Sequence, residues 1–148
     1  RIIEVGLHPD GSLRDRHLWK LPPLAPNLYA LRMDAALDFA TANGFERAVS
    51  EHIAAHPETR HVMLIAHPIN WIDATGAEAF GRLREQLDDQ RIELHLVGIK
   101  LPVENVLRLA GHLEAGPRLH LYRTEADGLR AADALTPAPP AAEDAAPA

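Results

Sequence analysis

The chain has 148 residues, a formal net charge of −6 and no cysteine. This length suffices for one domain with its own apolar core, and the lack of cysteine excludes thiol catalysis, disulfides and cysteine-based zinc sites. The acidic balance, without a run of Lys or Arg, excludes a nucleic-acid-binding face.

The first residues predict a short strand, residues 1–5, followed by a long proline-rich loop, residues 6–27. Loops of this length in a compact domain tend to be functional or to cross the body of the domain. Its apolar side chains, Trp19 among them, predict that it packs against a sheet edge. Trp19 has two interpretations, a buried side chain or a docking contact.

Residues 28–34 predict a second strand, and the next segment predicts a helix that Pro57 ends. Apolar residues recur at helical spacing on one face of that helix: Ala42, Phe45, Val49 and Ile53. His52 and His56, four residues apart, share a face and could together bind a metal. Because no third ligand is marked, we expect no metal there and interpret them as residues favoured by the helix dipole.

The most informative stretch is residues 60–76, where a buried strand meets a helix start. Residues 61–66 are mostly apolar without strict alternation, which is typical of a central strand covered on both faces. After a turn, the carboxylate of Asp73 is placed to accept hydrogen bonds from the first amides of a helix, so we predict that Asp73 is the N-cap. Gly76 is expected to let the helix lie close to the sheet.

The helix after this turn has a clear apolar face and a clear polar face. The apolar face carries Gly76, Ala79, Phe80, Leu83 and Leu87, and the polar face carries Glu78, Arg82, Glu85 and Asp89.

The rest of the chain predicts two more strands and two more helices. Residues 92–98 form a strand in which His95 is expected to be structural, and a helix runs from about Pro102 to Gly111. Residues 119–122 form the last strand, and Thr124 caps a final helix ending near residue 135. Residues 136–148, rich in Pro and Ala, are expected to be a disordered tail, so we predict one domain over residues 1–135.

The turn at residues 70–76 is the candidate site, because ligands and partners commonly bind beyond the carboxyl ends of strands in open α/β sheets. The candidate partner-binding residues are Asn70, Trp71, Asp73, Ala74, Thr75 and Gly76. The sequence has no glycine-rich phosphate loop, no nucleophile beside a base and no paired carboxylates in a motif. We therefore predict no catalytic residues, no cofactor and no enzyme activity.

Three segments resemble the STAS domain, which is shared by sulfate-permease-type anion transporters and anti-sigma factor antagonists. Residues 31–40 are similar to the transporter form of the domain, with its L-R-x-D-x-x-L-x-F-A string. Residues 72–76 resemble the family turn I-D-S-S/T-G, and residues 94–103 resemble the strand and helix start that follow it. The resemblance implies a STAS fold with a mixed, mostly parallel sheet of about five strands and about four helices.

Two positions depart from the family pattern. The antagonists carry a phosphorylated serine where this chain has Ala74, so a phosphoswitch at that position is excluded, and Thr75 is a poor substitute because we expect its hydroxyl to be engaged locally. His67 stands where many relatives carry an acidic residue.

The resemblance implies a cytoplasmic regulatory domain of a sulfate-permease-type transporter, on the inner side of the plasma membrane. The implied partners are the transmembrane domain of the same polypeptide, a second copy of this domain or a soluble regulator. The long loop and Ala74 favour this over the alternative, a free-standing anti-sigma factor antagonist. Since the chain has no initiator Met, we expect it to be a piece of a longer protein.

Overall fold

The computed structural model describes residues 1–138, which contain six strands and four helices. In chain order these are β1 (Ile2–Leu7), β2 (Leu13–Asp15), β3 (Leu28–Met33), α1 (Ala42–Ala55), β4 (His61–Ile65), α2 (Ala74–Asp89), β5 (Glu93–Val97), α3 (Leu101–Leu109), β6 (Leu119–Tyr122) and α4 (Glu125–Ala134).

The strands form one sheet in the order β2-β1-β3-β4-β5-β6. Strands β3 to β6 are parallel, whereas β1 runs antiparallel to both of its neighbours. This confirms the predicted mixed, mostly parallel α/β sheet, with one strand more than expected. Because β1 runs against β3, Arg1 lies at the carboxyl edge of the parallel strands, where its carbonyl accepts from Asp34 N at 3.1 Å.

The predicted loop over residues 6–27 is wrong in one respect, because it contains β2. This strand pairs with β1 and buries Leu13. Three residues are too few to show an alternation, so the sequence carries no strand signal there. The segment lies along the sheet edge as expected and buries Ala25, while Trp19 stays half-exposed with the Arg14 guanidinium 4.3 Å from its ring centroid.

Both faces of the sheet are covered, as the apolar central strands predicted. On one face α1, α2 and α3 bury a large cluster that includes Phe45, Phe80 and Leu107. On the other face α4 and the segment before β3 bury a smaller cluster that includes Met63 and Ala132. Strand β4 contributes to both clusters because alternate side chains point to opposite faces.

The helix ends follow the predicted signals. Asp73 and Thr124 cap α2 and α4 by accepting from the amides of Gly76 and Asp127, at 2.8 and 3.1 Å. Helix α3 ends at Leu109, before the predicted position, and leaves Ala110 exposed. The predicted tail falls mostly on residues 139–148, outside the described residues, so the domain boundary at 135 stays a prediction.

A buried ion pair joins α3 to the end of β6. The Glu104 side chain is only 6% exposed and binds Arg108 at 2.9 Å and Arg123 at 2.5 and 3.1 Å. Hydrogen bonds from Arg123 and Arg108 lower the pKa of Glu104 to about 2. The carboxylate therefore stays ionised, and the contact persists, well into the acidic range.

Among residues 1–138, no helix combines the length and the apolar character that crossing a bilayer requires.

Candidate functional site

The predicted turn lies at the carboxyl edge of the sheet, between β4 and α2. Ala66, just after β4, still donates to the Val97 carbonyl at 2.8 Å, and the chain then turns outward until α2 begins at Ala74. The side chains of Asn70, Trp71, Ala74 and Thr75 are exposed, whereas Gly76 is buried. The structure thus brings the predicted site residues together at one surface.

Asp73 joins this turn to the segment that follows β3. One carboxylate oxygen accepts from Gly76 N at 2.8 Å, and the other accepts from Phe39 N at 3.1 Å. The backbones of the two segments also pair, since Leu37 N donates to the Trp71 carbonyl at 3.2 Å and Asp73 N donates to the Leu37 carbonyl at 3.3 Å. Both carboxylate oxygens are therefore committed to backbone amides within the domain.

Gly76 permits a close approach, but not to the sheet as predicted. A Cβ at Gly76 would lie 2.7 Å from the carbonyl carbon of Leu37 and closer still to its oxygen. Helix α2 therefore packs its first turn against the backbone of the segment after β3. The sequence could not reveal this contact, because Leu37 and Gly76 are far apart in the chain.

Three large apolar side chains are exposed at this edge of the sheet, two in loops and one at the start of α3. Phe39 is 74% exposed, Trp71 51% and Leu101 64%. We call these three residues the apolar rim. Leu101 begins α3, and the preceding Lys100 donates to the Asn70 side chain, which ties that loop to the turn. Sequence reasoning missed Phe39 and Leu101, since an exposed apolar residue looks like a buried one in a sequence.

The first turn of α2 begins with Ala74 and Thr75. Ala74 and Thr75 are both exposed. The expected local engagement of the Thr75 hydroxyl stays a prediction. His67, at the start of the turn, is exposed beside Gly98, whose positive φ of 71° turns the chain after β5.

The histidine pair on α1 lies away from this edge and forms an aromatic stack. The ring of His52 lies 3.7 Å from the ring of Tyr29 and 4.1 Å from that of His56, centroid to centroid. Burial lowers the pKa of His52, which favours the neutral form of its ring. No three His, Asp or Glu side chains converge as metal ligands in the described part of the chain.

A family model described as "STAS domain" matches residues 23–128, and no curated protein sequence matches the chain. Solved structures of two kinds share its fold. The murine Solute Carrier 26 family member A9 anion transporter is 19% identical over 90% of this chain, with a TM-score of 0.75. The match spans only 22% of that transporter's length.

Two further solved chains are matched along nearly their whole length. A sulfate transporter family protein from Wolinella succinogenes is 18% identical, with a TM-score of 0.65, over 82% of this chain and 98% of its own. A putative anti-sigma factor antagonist from Thermotoga maritima is 16% identical, with a TM-score of 0.61, over 80% and 98%. At these identities the likeness establishes the fold alone.

Proposed function

Because this chain belongs to the STAS domain family, we propose that it is the regulatory domain of a sulfate-permease-type anion transporter. In this proposal it acts on the cytoplasmic side of the membrane by protein contact through the apolar rim and the Asp73 turn. It carries out no reaction of its own. Its first partner is the transmembrane domain of the same polypeptide, with a second copy or a soluble regulator as further partners.

The observation that supports this proposal is that the turn has an exposed apolar surface, while its carboxylate is already bound within the domain. The Asp73 carboxylate is occupied by two backbone amides, and Ala74 has no hydroxyl. Exposed aromatic side chains are enriched where proteins bind one another. A surface built from Phe39, Trp71 and Leu101 is therefore suited to contact rather than to chemistry.

The position of Arg1 supports the same function. Its carbonyl accepts from Asp34 N at the carboxyl edge of the sheet, the edge that carries the Asp73 turn. A transmembrane domain joined ahead of Arg1 would meet the sheet at the rim. Reading the coding sequence upstream of Arg1 tests this directly, since about a dozen apolar segments of ~20 residues in frame are expected. A start codon immediately before Arg1 would contradict the proposal.

Substitution of Trp71 by alanine in the full-length protein is expected to lower anion uptake several-fold, because a partly exposed aromatic contact is removed. Its effect on domain stability should be within about 1 kcal/mol, since half of the side chain is already in water. The matched control is Leu109→Ala, which removes an apolar side chain that is 90% exposed at the far end of α3. Equal losses of uptake in the two variants would show that the rim has no special role.

The alternative function is that of a free-standing anti-sigma factor antagonist, a class that the Thermotoga protein represents among the structures of the same fold. The two functions differ at Ala74, which cannot accept a phosphate. We expect an antagonist-type kinase to leave the wild-type chain unmodified and to phosphorylate Ala74→Ser, whose hydroxyl would stand at the exposed first turn of α2. Negative charge is tolerated there by the helix N-terminus.

Mass spectrometry of the chain after incubation with the kinase checks this prediction, with Ala74→Gly as the control that offers no hydroxyl. Phosphate on the exposed hydroxyl of wild-type Thr75, lost in Thr75→Val together with a change in sigma-factor activity, would favour the antagonist.

A further inference from the structure

Three histidines on neighbouring strands meet on the sheet face that α4 covers. His61 begins β4, His95 is central in β5, and His120 pairs with His95 in the register of β6. Alternation places all three on the face that also carries Met63 and Val97. They lie far along the strands from the apolar rim and take no part in the proposed contact.

The three rings are linked by short contacts. His95 Nε2 lies 3.1 Å from His61 Nδ1, and His95 Nδ1 lies 2.9 Å from the Tyr122 hydroxyl. The rings of His95 and His120 stack with centroids 4.8 Å apart. His95 is therefore the centre of the cluster, held by one hydrogen bond on each side.

Charge on His95 has no compensation within this cluster. His95 is only 4% exposed, and the neighbouring carboxylate of Glu93 is bound to His120 Nε2 at 2.8 Å. The other titratable groups facing it are His61 and Tyr122, and the core side chains that α4 and the segment before β3 bring to this face are apolar. Burial and the two neighbouring imidazoles lower the pKa of His95 to about 4. Burial also lowers the pKa of His61.

Protonation of His95 becomes more favourable when its ring is exposed to water. The strand whose separation from the sheet would expose it is β6. It is one of the two edge strands of the sheet, it has four residues, and within residues 1–138 it pairs with β5 alone. Edge segments with few buried side chains belong to the part of a protein that opens most readily. Ion pairs flank this strand on both sides, since Arg123 after it binds the ionised Glu104 and Arg118 before it binds Asp88 at 2.8 Å. Opening of β6 therefore works against one ion pair at each end.

We propose that His61, His95 and His120 form a proton-sensitive latch, which holds edge strand β6 on β5 at neutral pH and releases it on acidification. While β6 is paired with β5, His95 is a neutral bridge between His61 and Tyr122. When β6 separates from β5, the His95 ring reaches water and binds a proton. The cluster thus makes one edge of the domain responsive to the pH around it.

The size of the effect follows from proton linkage. While β6 is paired with β5, the pKa of His95 is about 4. When β6 has separated and the ring is in water, the pKa of His95 takes its ordinary value of 6.5. The opened state therefore binds more protons, so the opening constant rises as the pH falls below 6.5 and levels off below 4. Between pH 7.5 and pH 5 this predicts an increase of ~30-fold.

Amide hydrogen exchange of the 148-residue chain tests the latch. Leu94 N donates to the Arg118 carbonyl, which is lost when β6 opens, whereas Ala66 N donates to the Val97 carbonyl and does not depend on β6. After correction for intrinsic rates, exchange at Leu94 should rise ~30-fold from pH 7.5 to pH 5. Exchange at Ala66 should change much less.

Two variants remove the titration, His95→Gln, which keeps hydrogen-bonding groups, and His95→Leu, which keeps the apolar volume. In either one the rise at Leu94 should disappear, while the control His52→Gln should keep it. A flat response in the wild type, or an unchanged rise in a folded His95 variant, would overturn the proposal. An NMR titration of the wild-type His95 ring gives a test that needs no variant, because a pKa near 6.5 would also overturn it.

Discussion

Replacement of Gly76 by alanine is expected to destabilise the domain by about 3 kcal/mol or more, because the first turn of α2 cannot accept a methyl group. The new Cβ would lie 2.7 Å from the carbonyl carbon of Leu37 and nearer to its oxygen, and both atoms belong to a backbone that pairs with the turn. Neither a rotamer change nor a small side-chain shift removes this overlap. The helix start and the segment after β3 must separate, which also breaks the contacts of Asp73.

The control is Gly44→Ala, which makes the same change in α1. A Cβ at Gly44 meets nothing within 4 Å. Alanine favours a helix over glycine by up to ~1 kcal/mol, so this variant should be neutral or more stable. Urea unfolding of both variants measures the contrast. Similar stability of the two proteins would mean that α2 does not approach Leu37 as closely as described.

Substitution of Leu83 by alanine is expected to cost on the order of 2 to 5 kcal/mol. Leu83 lies on the apolar face of α2, is only 2% exposed and belongs to the large core cluster with Phe45 and Phe80. Truncation removes buried methyl groups and leaves a cavity. Because α2 is held between α1 and the sheet, it cannot move to fill that cavity. Thermal or urea unfolding gives the free energy directly.

Glu85→Ala serves as the comparison on the same helix, because Glu85 is exposed on the opposite face. Its effect should stay within about 0.5 kcal/mol. If the two substitutions cost the same, α2 would present a different face to the core than its periodicity indicates.

The sequence predicts those elements of the fold whose apolar residues repeat at a regular spacing within one short segment. The apolar positions of α2 recur every three or four residues, and all five predicted ones, Gly76, Ala79, Phe80, Leu83 and Leu87, are buried. Asp73 lies three residues before the first of these positions and is the helix cap, as predicted. The uninterrupted apolar run of β4 likewise predicted a strand covered on both faces.

The parts that the sequence does not predict depend on residues distant in the chain. Strand β2 exists because β1 offers it an edge, and three residues carry no period of their own. Phe39 and Leu101 became site residues only when the structure placed the loops that carry them at the edge of the Asp73 turn. His95 was expected to be structural, but its partners His61 and Tyr122 lie on the two neighbouring strands.

The direction of β1 has a mechanical consequence. Strand β1 begins at the carboxyl edge of the parallel strands, and its far end, Leu7, shares a groove with Ala132 and Asp133 near the end of α4. A pull between Arg1 and α4 would therefore act along β1, which is hydrogen-bonded to β2 on one side and β3 on the other. Antiparallel ladder bonds are perpendicular to the strands, so such a pull shears both ladders at once instead of opening bonds one by one. We expect the domain to resist stretching along β1. Tension applied at Arg1 should therefore be transmitted along β1 to the edge of the sheet near Leu7 and the end of α4.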